Sequence, residues 1–230
     1  MTHIPVMLEE AIDVLIHRSE GVYVDCTFGR GGHAAASLKR LSVNGRLIVM
    51  DKDPEAINCA LMRFKSEPRV TVVHGSFASI KAHLLDADIR QVDGIFLDLG
   101  VSSDQLDTAE RGFSFMRSGP LDMRMDNSQG QSAAEWLRIA DESEIARVLK
   151  DYGEERYAKR IARALVATRD VEPLETTQAL ANLIERVSPS RDHHKHPATR
   201  AFQAIRIQVN RELEDLERCL TESPALLKIS

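Results

Sequence analysis

At 230 residues the chain is long enough to bury the core of one large domain or of two small ones. An apolar share of 43% and a charged share of 28% exclude a disordered or fibrous protein, and a net charge of −5 excludes a uniformly basic nucleic-acid coat while leaving room for a local basic patch. Three widely spaced cysteines, Cys26, Cys59 and Cys219, make no CxxC pair and no disulfide framework, which points to a reducing compartment.

The opening MTHIPVMLEEAIDVL has no basic flank followed by an apolar run, so it does not read as a signal peptide. No apolar stretch approaches the roughly 18 residues that span a bilayer. The expectation is a cytoplasmic protein with no membrane partner. The apolar run at Val22–Val24 stops on Asp25, and the glycine-rich turn of Gly29, Gly31 and Gly32 follows at once. A helix-like stretch at His33–Leu41 leads to a second apolar run, Arg46–Met50, that stops on Asp51. Pro54–Phe64 reads as a helix with Asp53 as its N-cap and Pro54 in its first turn. A strand at Val70–His74, a helix at Phe77–Asp86 and a strand at Gly94–Leu97, followed by Asp98, complete the pattern. Strands that alternate with helices predict an α/β protein with a parallel, doubly wound sheet.

The glycine turn lets backbone amides approach a ligand without a Cβ in the way. Asp51, placed 20 positions after Gly31, suits the diol of a ribose. Gly29, Gly31 and Ala34 formally meet a dinucleotide pattern, so a nicotinamide-dependent oxidoreductase is one reading. Asp25 directly before the turn would repel a pyrophosphate, however, and Asp98 adds a second acid at the mouth of the crevice. Both favour a cationic ligand, and S-adenosylmethionine carries an ammonium and a sulfonium.

Beyond Asp98 the periodicity changes. Residues 107–125 are rich in Gly, Pro, Ser and Met and lack strand alternation, and from Ser132 onward the chain reads as helices, with Thr199–Leu220 one continuous stretch. The expected division is residues 1–106 as a cofactor-binding core, 107–210 as a helical block and 211–230 as an incomplete return to the core. Only four strands are visible, which predicts either that the natural protein continues beyond Ser230 or that its sheet is unusually small, with truncation the favoured reading. Residues 156–210 carry 10 Lys and Arg against 5 Asp and Glu, the reverse of the balance before them. Arg156, Lys159, Arg160 and Arg163 recur at helical spacing, and Arg191, Lys195 and Arg200 surround a histidine-rich loop. These are candidate phosphate contacts, and plain solvation would explain the same face. Only Asp192 could join His193, His194 and His196 as a ligand, so no metal is expected there.

Seven segments carry a resemblance: TFGRGGH (Thr27–His33), DKDPEAI (Asp51–Ile57), HGSF (His74–Phe77), LDLGVSS (Leu97–Ser103), ERGFSFMRSGPLDMRMD (Glu110–Asp126), YGEERYAKRIARAL (Tyr152–Leu165) and KHPATRAFQAIRIQVN (Lys195–Asn210). From about His3 to its end the chain resembles the MraW/RsmH family, bacterial small-subunit (16S) ribosomal RNA (cytosine-N4)-methyltransferases. The resemblance implies a class I, Rossmann-like S-adenosylmethionine-dependent core with an inserted all-helical domain that recognises substrate. It also implies a C-terminally truncated chain, since the family continues well past Ser230. Its cofactor contacts fall on Gly31, Gly32, His33, Asp51, Phe77, Asp98 and Gln105. Asp104 departs from the family, which shows proline there, a change of loop stiffness. The implied partner is ribosomal RNA, free or in the small ribosomal subunit.

Methylation of an exocyclic amine needs no covalent intermediate, only an acceptor for the amine proton and an aligned donor. Asp98 is the candidate acceptor, although its cofactor role competes for the same carboxylate. Chemistry at C5 would need a thiolate beside the fourth strand, and Cys26 and Cys59 read as buried small residues instead. Phe113, Phe115 and Met116 are placed either to stack on a flipped-out cytosine or to plug a domain junction. A catalytically silent RNA-binding or ribosome-assembly module is the reading outside enzymes.

Overall fold

The computed structural model describes residues 6–188 and 196–228. In chain order the elements are α1 (Leu8–Leu15), β1 (Val22–Asp25), α2 (Gly32–Arg40), β2 (Arg46–Asp51), α3 (Pro54–Arg63), β3 (Val70–His74), α4 (Ile80–Asp86), β4 (Gly94–Phe96), α5 (Ser103–Asp107), α6 (Ala133–Ile139), α7 (Glu142–Asp151), α8 (Ala158–Arg169), α9 (Thr177–Val187), α10 (Ala198–Asn210) and α11 (Glu212–Leu226). The chain divides into two units, Met1–Ser102 with Leu213–Ser230, and Ser103–Glu212.

The first unit is built on a parallel sheet of order β3-β2-β1-β4. Its strands read as continuous apolar runs because both faces are covered. Alternation along each strand then sorts the residues into two layers. On one face Val24, Ile48 and Met50 pack with Ile80 and Leu84 of α4 and with Cys219 and Leu226 of α11. On the other, Tyr23, Leu47 and Val49 pack with Ala34 and Leu38 of α2 and Ala56 and Ala60 of α3. Asp25 pairs with Val49 on one side and Phe96 on the other, and Asp51 pairs with His74, so β1 and β4 end level with each other and β2 and β3 end together two residues further on.

Local signals hold at α3, where the Asp53 side chain accepts from the Glu55 amide at 2.9 Å and Pro54 occupies the first turn. Phe77 differs from expectation. It opens a 3-10 turn, Phe77–Ser79, because the Ser76 hydroxyl accepts from the Ala78 amide and tightens the chain there before α4 begins at Ile80.

The second unit buries Ile145, Val148 and Leu149 of α7 with Ile161 and Leu165 of α8. A capping box between Ser132 and Glu135 starts α6. The irregular stretch before it is held by Arg111, which is buried and donates to the carbonyls of Arg124 and Met125. The continuous helix expected over Thr199–Leu220 is instead two helices, broken at Arg211, whose φ is +54°. Asn210 causes the break. Its buried amide accepts from the Met125 amide at 2.7 Å and donates to the carbonyls of Met123 and Arg206 at 2.7 and 2.9 Å. A bidentate pair from Arg206 to Glu212 closes the corner. Among the described residues no helix is long and apolar enough to cross a membrane.

Candidate active site

Three carboxylates stand at strand ends of the first unit. Asp25 closes β1 and is buried. One of its oxygens accepts from the Thr27 amide at 3.1 Å, and the other, Oδ2, is buried without a hydrogen-bond partner. Burial pushes its carboxyl up to about 7; the Thr27 amide opposes this, and the nearby charges of Asp51 and Asp98 add to it. Asp51 closes β2. Its two oxygens accept one amide each, from Gly29 at 2.8 Å and Asp53 at 2.9 Å. Burial raises its carboxyl above the usual range, and these amides limit the rise.

Asp98, beyond β4, is half exposed on its side chain, at 52%. Its backbone amide donates to the Thr27 hydroxyl at 2.7 Å, which ties the end of β4 to the loop after β1. Its Oδ2 lies 3.8 Å from Nδ1 of His33. His33 is buried in the first turn of α2, with its ring 4.6 Å from that of Phe96 and its Nε2 3.3 Å from the Val6 carbonyl.

Between these acids runs the glycine turn. Gly29 has φ +54° and Gly31 φ +73°, values that a side chain strains. A Cβ on Gly29 would meet nothing within 4 Å, so that side of the turn is open; one on Gly31 would sit 2.5 Å from the Phe28 ring. Arg63 holds the turn from outside by donating to the Arg30 carbonyl at 2.7 Å.

Of the residues singled out from the sequence, Gly31, Gly32, His33, Asp51 and Asp98 thus gather around the ends of β1, β2 and β4. Phe77 follows β3 and is half-buried against the sheet's core. Gln105 lies in the second unit, buried on α5. Thr27 joins two strand ends, a contact that motif spacing does not mark because it depends on an amide 71 positions away.

In the second unit Lys159, Arg160 and Arg163 are exposed on α8, and Arg163 lies 3.6 Å from Glu142. Arg156 precedes that helix rather than lying on it, with its guanidinium 5.9 Å over Tyr157, so the helical basic face begins at Lys159. Arg200, also exposed, donates to the Glu154 carbonyl at 3.4 Å. Phe113 is buried, 6% exposed, under the Arg111 guanidinium. Phe115 is half-buried, with ring contacts to His196 at 4.6 Å and Phe202 at 4.8 Å. Lys195, Arg191, His193 and His194 lie outside the described residues.

Three acids, one with a buried oxygen that has no hydrogen-bond partner, thus stand at strand ends around a glycine turn whose Gly29 side is open. The chain is similar to known methylases. The ribosomal RNA small subunit methyltransferase H of Idiomarina loihiensis is 53% identical over 227 residues, 98% of this chain and 72% of that protein. A solved structure assigned as an rRNA-methylase, from Clostridium thermocellum, aligns with a TM-score of 0.35 and 20% identity over 44% of this chain and 57% of its own. A family model described as the MraW methylase family matches residues 1–230. The chain therefore belongs to the MraW methylase family.

Proposed function

We propose that this chain transfers a methyl group from S-adenosylmethionine to the N4 amine of a cytidine in small-subunit (16S) ribosomal RNA, free or within the small ribosomal subunit, in the cytoplasm. The observation that carries the cofactor is the buried, unpartnered Oδ2 of Asp25 at the end of β1, just before a glycine turn that is open at Gly29. A buried carboxylate oxygen without a partner is costly, and a ligand ammonium would relieve it.

The residues fit the cofactor part by part. Each Asp51 oxygen has accepted one amide and keeps a lone pair for a ribose hydroxyl. Gly31, Gly32 and His33 start the helix beside it, and Phe77, after β3, completes the first unit's set for the base. When bound, S-adenosylmethionine supplies an electrophilic methyl group. The chain's own residues then position and polarise. Asp98, half exposed and anchored through its amide to Thr27, accepts a hydrogen bond from the cytosine N4–H. This would draw the amine lone pair out of conjugation with the ring, and the carboxylate would take up the proton that N4 loses when the methyl group passes from sulfur to nitrogen and S-adenosylhomocysteine is left as the neutral thioether.

The helical unit serves as the substrate-recognition part. Phe115, half-buried, is better placed than the buried Phe113 to stack on a base. Arg156, Lys159, Arg160, Arg163, Lys195 and Arg200 supply phosphate contacts. The 53% identity to a protein named as a small-subunit rRNA methyltransferase supports the substrate class.

Titration calorimetry and labelled-methyl transfer to small subunits from a strain lacking the enzyme test the proposal. S-adenosylhomocysteine should bind and NAD should not. Asp98→Asn, assayed at saturating S-adenosylmethionine so that any loss of donor affinity is separated from the chemical step, should lower transfer about 10²- to 10⁴-fold, the usual worth of a positioned proton acceptor. Binding of NAD alone, or undiminished transfer by the variant, overturns it.

A further inference from the structure

We propose that Asp215 of α11 is a positioning residue for the nucleoside half of the cofactor, locking together the two loops that carry Asp51 and Phe77. The inference rests on the cofactor reading above and adds a residue to it. Asp215 is 8% exposed, and a single oxygen, Oδ2, accepts from Nζ of Lys52 at 2.6 Å and from the Ser76 hydroxyl at 2.7 Å. Lys52 is the residue after Asp51, and Ser76 is the residue before Phe77. One carboxylate oxygen thus sets the distance between the loop that leaves β2 and the loop that leaves β3.

The neighbouring contacts give this atom leverage. The Ser76 hydroxyl that donates to Asp215 also accepts from the Ala78 amide at 3.1 Å, so it shapes the 3-10 turn that Phe77 opens. The Gly75 amide donates to the Asp51 carbonyl at 2.9 Å, and the His74 ring lies 3.1 Å from the Lys52 carbonyl. The two loops are already joined along the backbone; Asp215 adds the side-chain restraint. Elsewhere α11 packs on the sheet through Cys219 and Leu226, as apolar docking requires. A buried carboxylate costs desolvation that Leu or Met would avoid, and in exchange it imposes direction as well as distance. The prediction is that the adenosine moiety, held by Asp51 and Phe77, feels Asp215, while the amino-acid end at Asp25 does not.

The experiment measures the Kd of S-adenosylhomocysteine and of 5′-methylthioadenosine, which lacks the amino-acid end, for the wild type, Asp215→Ala, Asp215→Glu and Ser76→Ala. Asp215→Ala should weaken both ligands by the same factor, about five- to twentyfold, and raise KM for S-adenosylmethionine more than it lowers kcat. Asp215→Glu should recover most of the loss. Ser76→Ala, a milder change should Asp215→Ala fail to fold, should weaken both about two- to fivefold. Affinities within twofold of wild type alongside a lowered melting temperature would make Asp215 a stability residue only and overturn the proposal, as would a loss confined to S-adenosylhomocysteine. A wild type that binds neither ligand overturns the methyl-donor reading itself, and this proposal with it.

Discussion

Asp25 should make the ligand-free protein lose stability as pH rises, and Asp25→Asn should abolish that loss. Its carboxyl moves from an ordinary 3.8 to about 7, chiefly by burial, with Asp51 and Asp98 adding repulsion. Between those two values the native state holds a proton that the unfolded chain has released. The stability tied to this carboxyl is therefore intact below about pH 3.8, declines through the window, and is fully lost above about pH 7. A shift of that size corresponds to about 4 kcal/mol in all, at ~1.4 kcal/mol for each pH unit. Asparagine preserves the shape and keeps an oxygen for the Thr27 amide, so the substitution removes the charge and little else. Asp51 is shifted in the same direction and Asp93 and Asp122 in the opposite one, which is why the informative quantity is the difference between the two proteins. Urea unfolding of both from pH 5 to pH 8 should show the advantage of Asp25→Asn growing by ~1.4 kcal/mol per unit and levelling above pH 7. The same variant should bind S-adenosylhomocysteine more weakly, because the ammonium loses its counter-charge. Parallel stability curves for the two proteins would refute the reasoning.

Gly31→Ala places a methyl group 2.5 Å from the Phe28 ring on a backbone at φ +73°, so left-handed strain and overpacking together should cost about 2–4 kcal/mol in urea unfolding; an unchanged midpoint would show that the turn relaxes freely. Asn210→Ala strands the half-buried Met125 amide and the buried Met123 carbonyl in the second unit, with an expected loss of about 2–4 kcal/mol and of hydrogen-exchange protection at Met125; retained protection would locate the restraint elsewhere.

The sequence by itself determined the parallel α/β class, since the four strands are apolar runs of the right length with helices between them, and the start of α3, since Asp53 and Pro54 act within one turn of each other. It also marked Asp25, Asp51 and Asp98, because an acid directly after an apolar run must lie at a strand end whatever the strand order. Only the tertiary structure decided what depends on distant partners. The break at Arg211 carries no glycine or proline and exists because Asn210 bonds a loop 85 and 87 positions away. The turn at Phe77 comes from a serine cap that sequence periodicity does not register. The orphaned oxygen of Asp25 is a property of what surrounds it, and the Asp215 clamp joins residues 163 and 139 positions apart. Hydrophobic period and capping are local and can be read along the chain, whereas burial and long-range hydrogen bonding arise only when the chain has closed on itself.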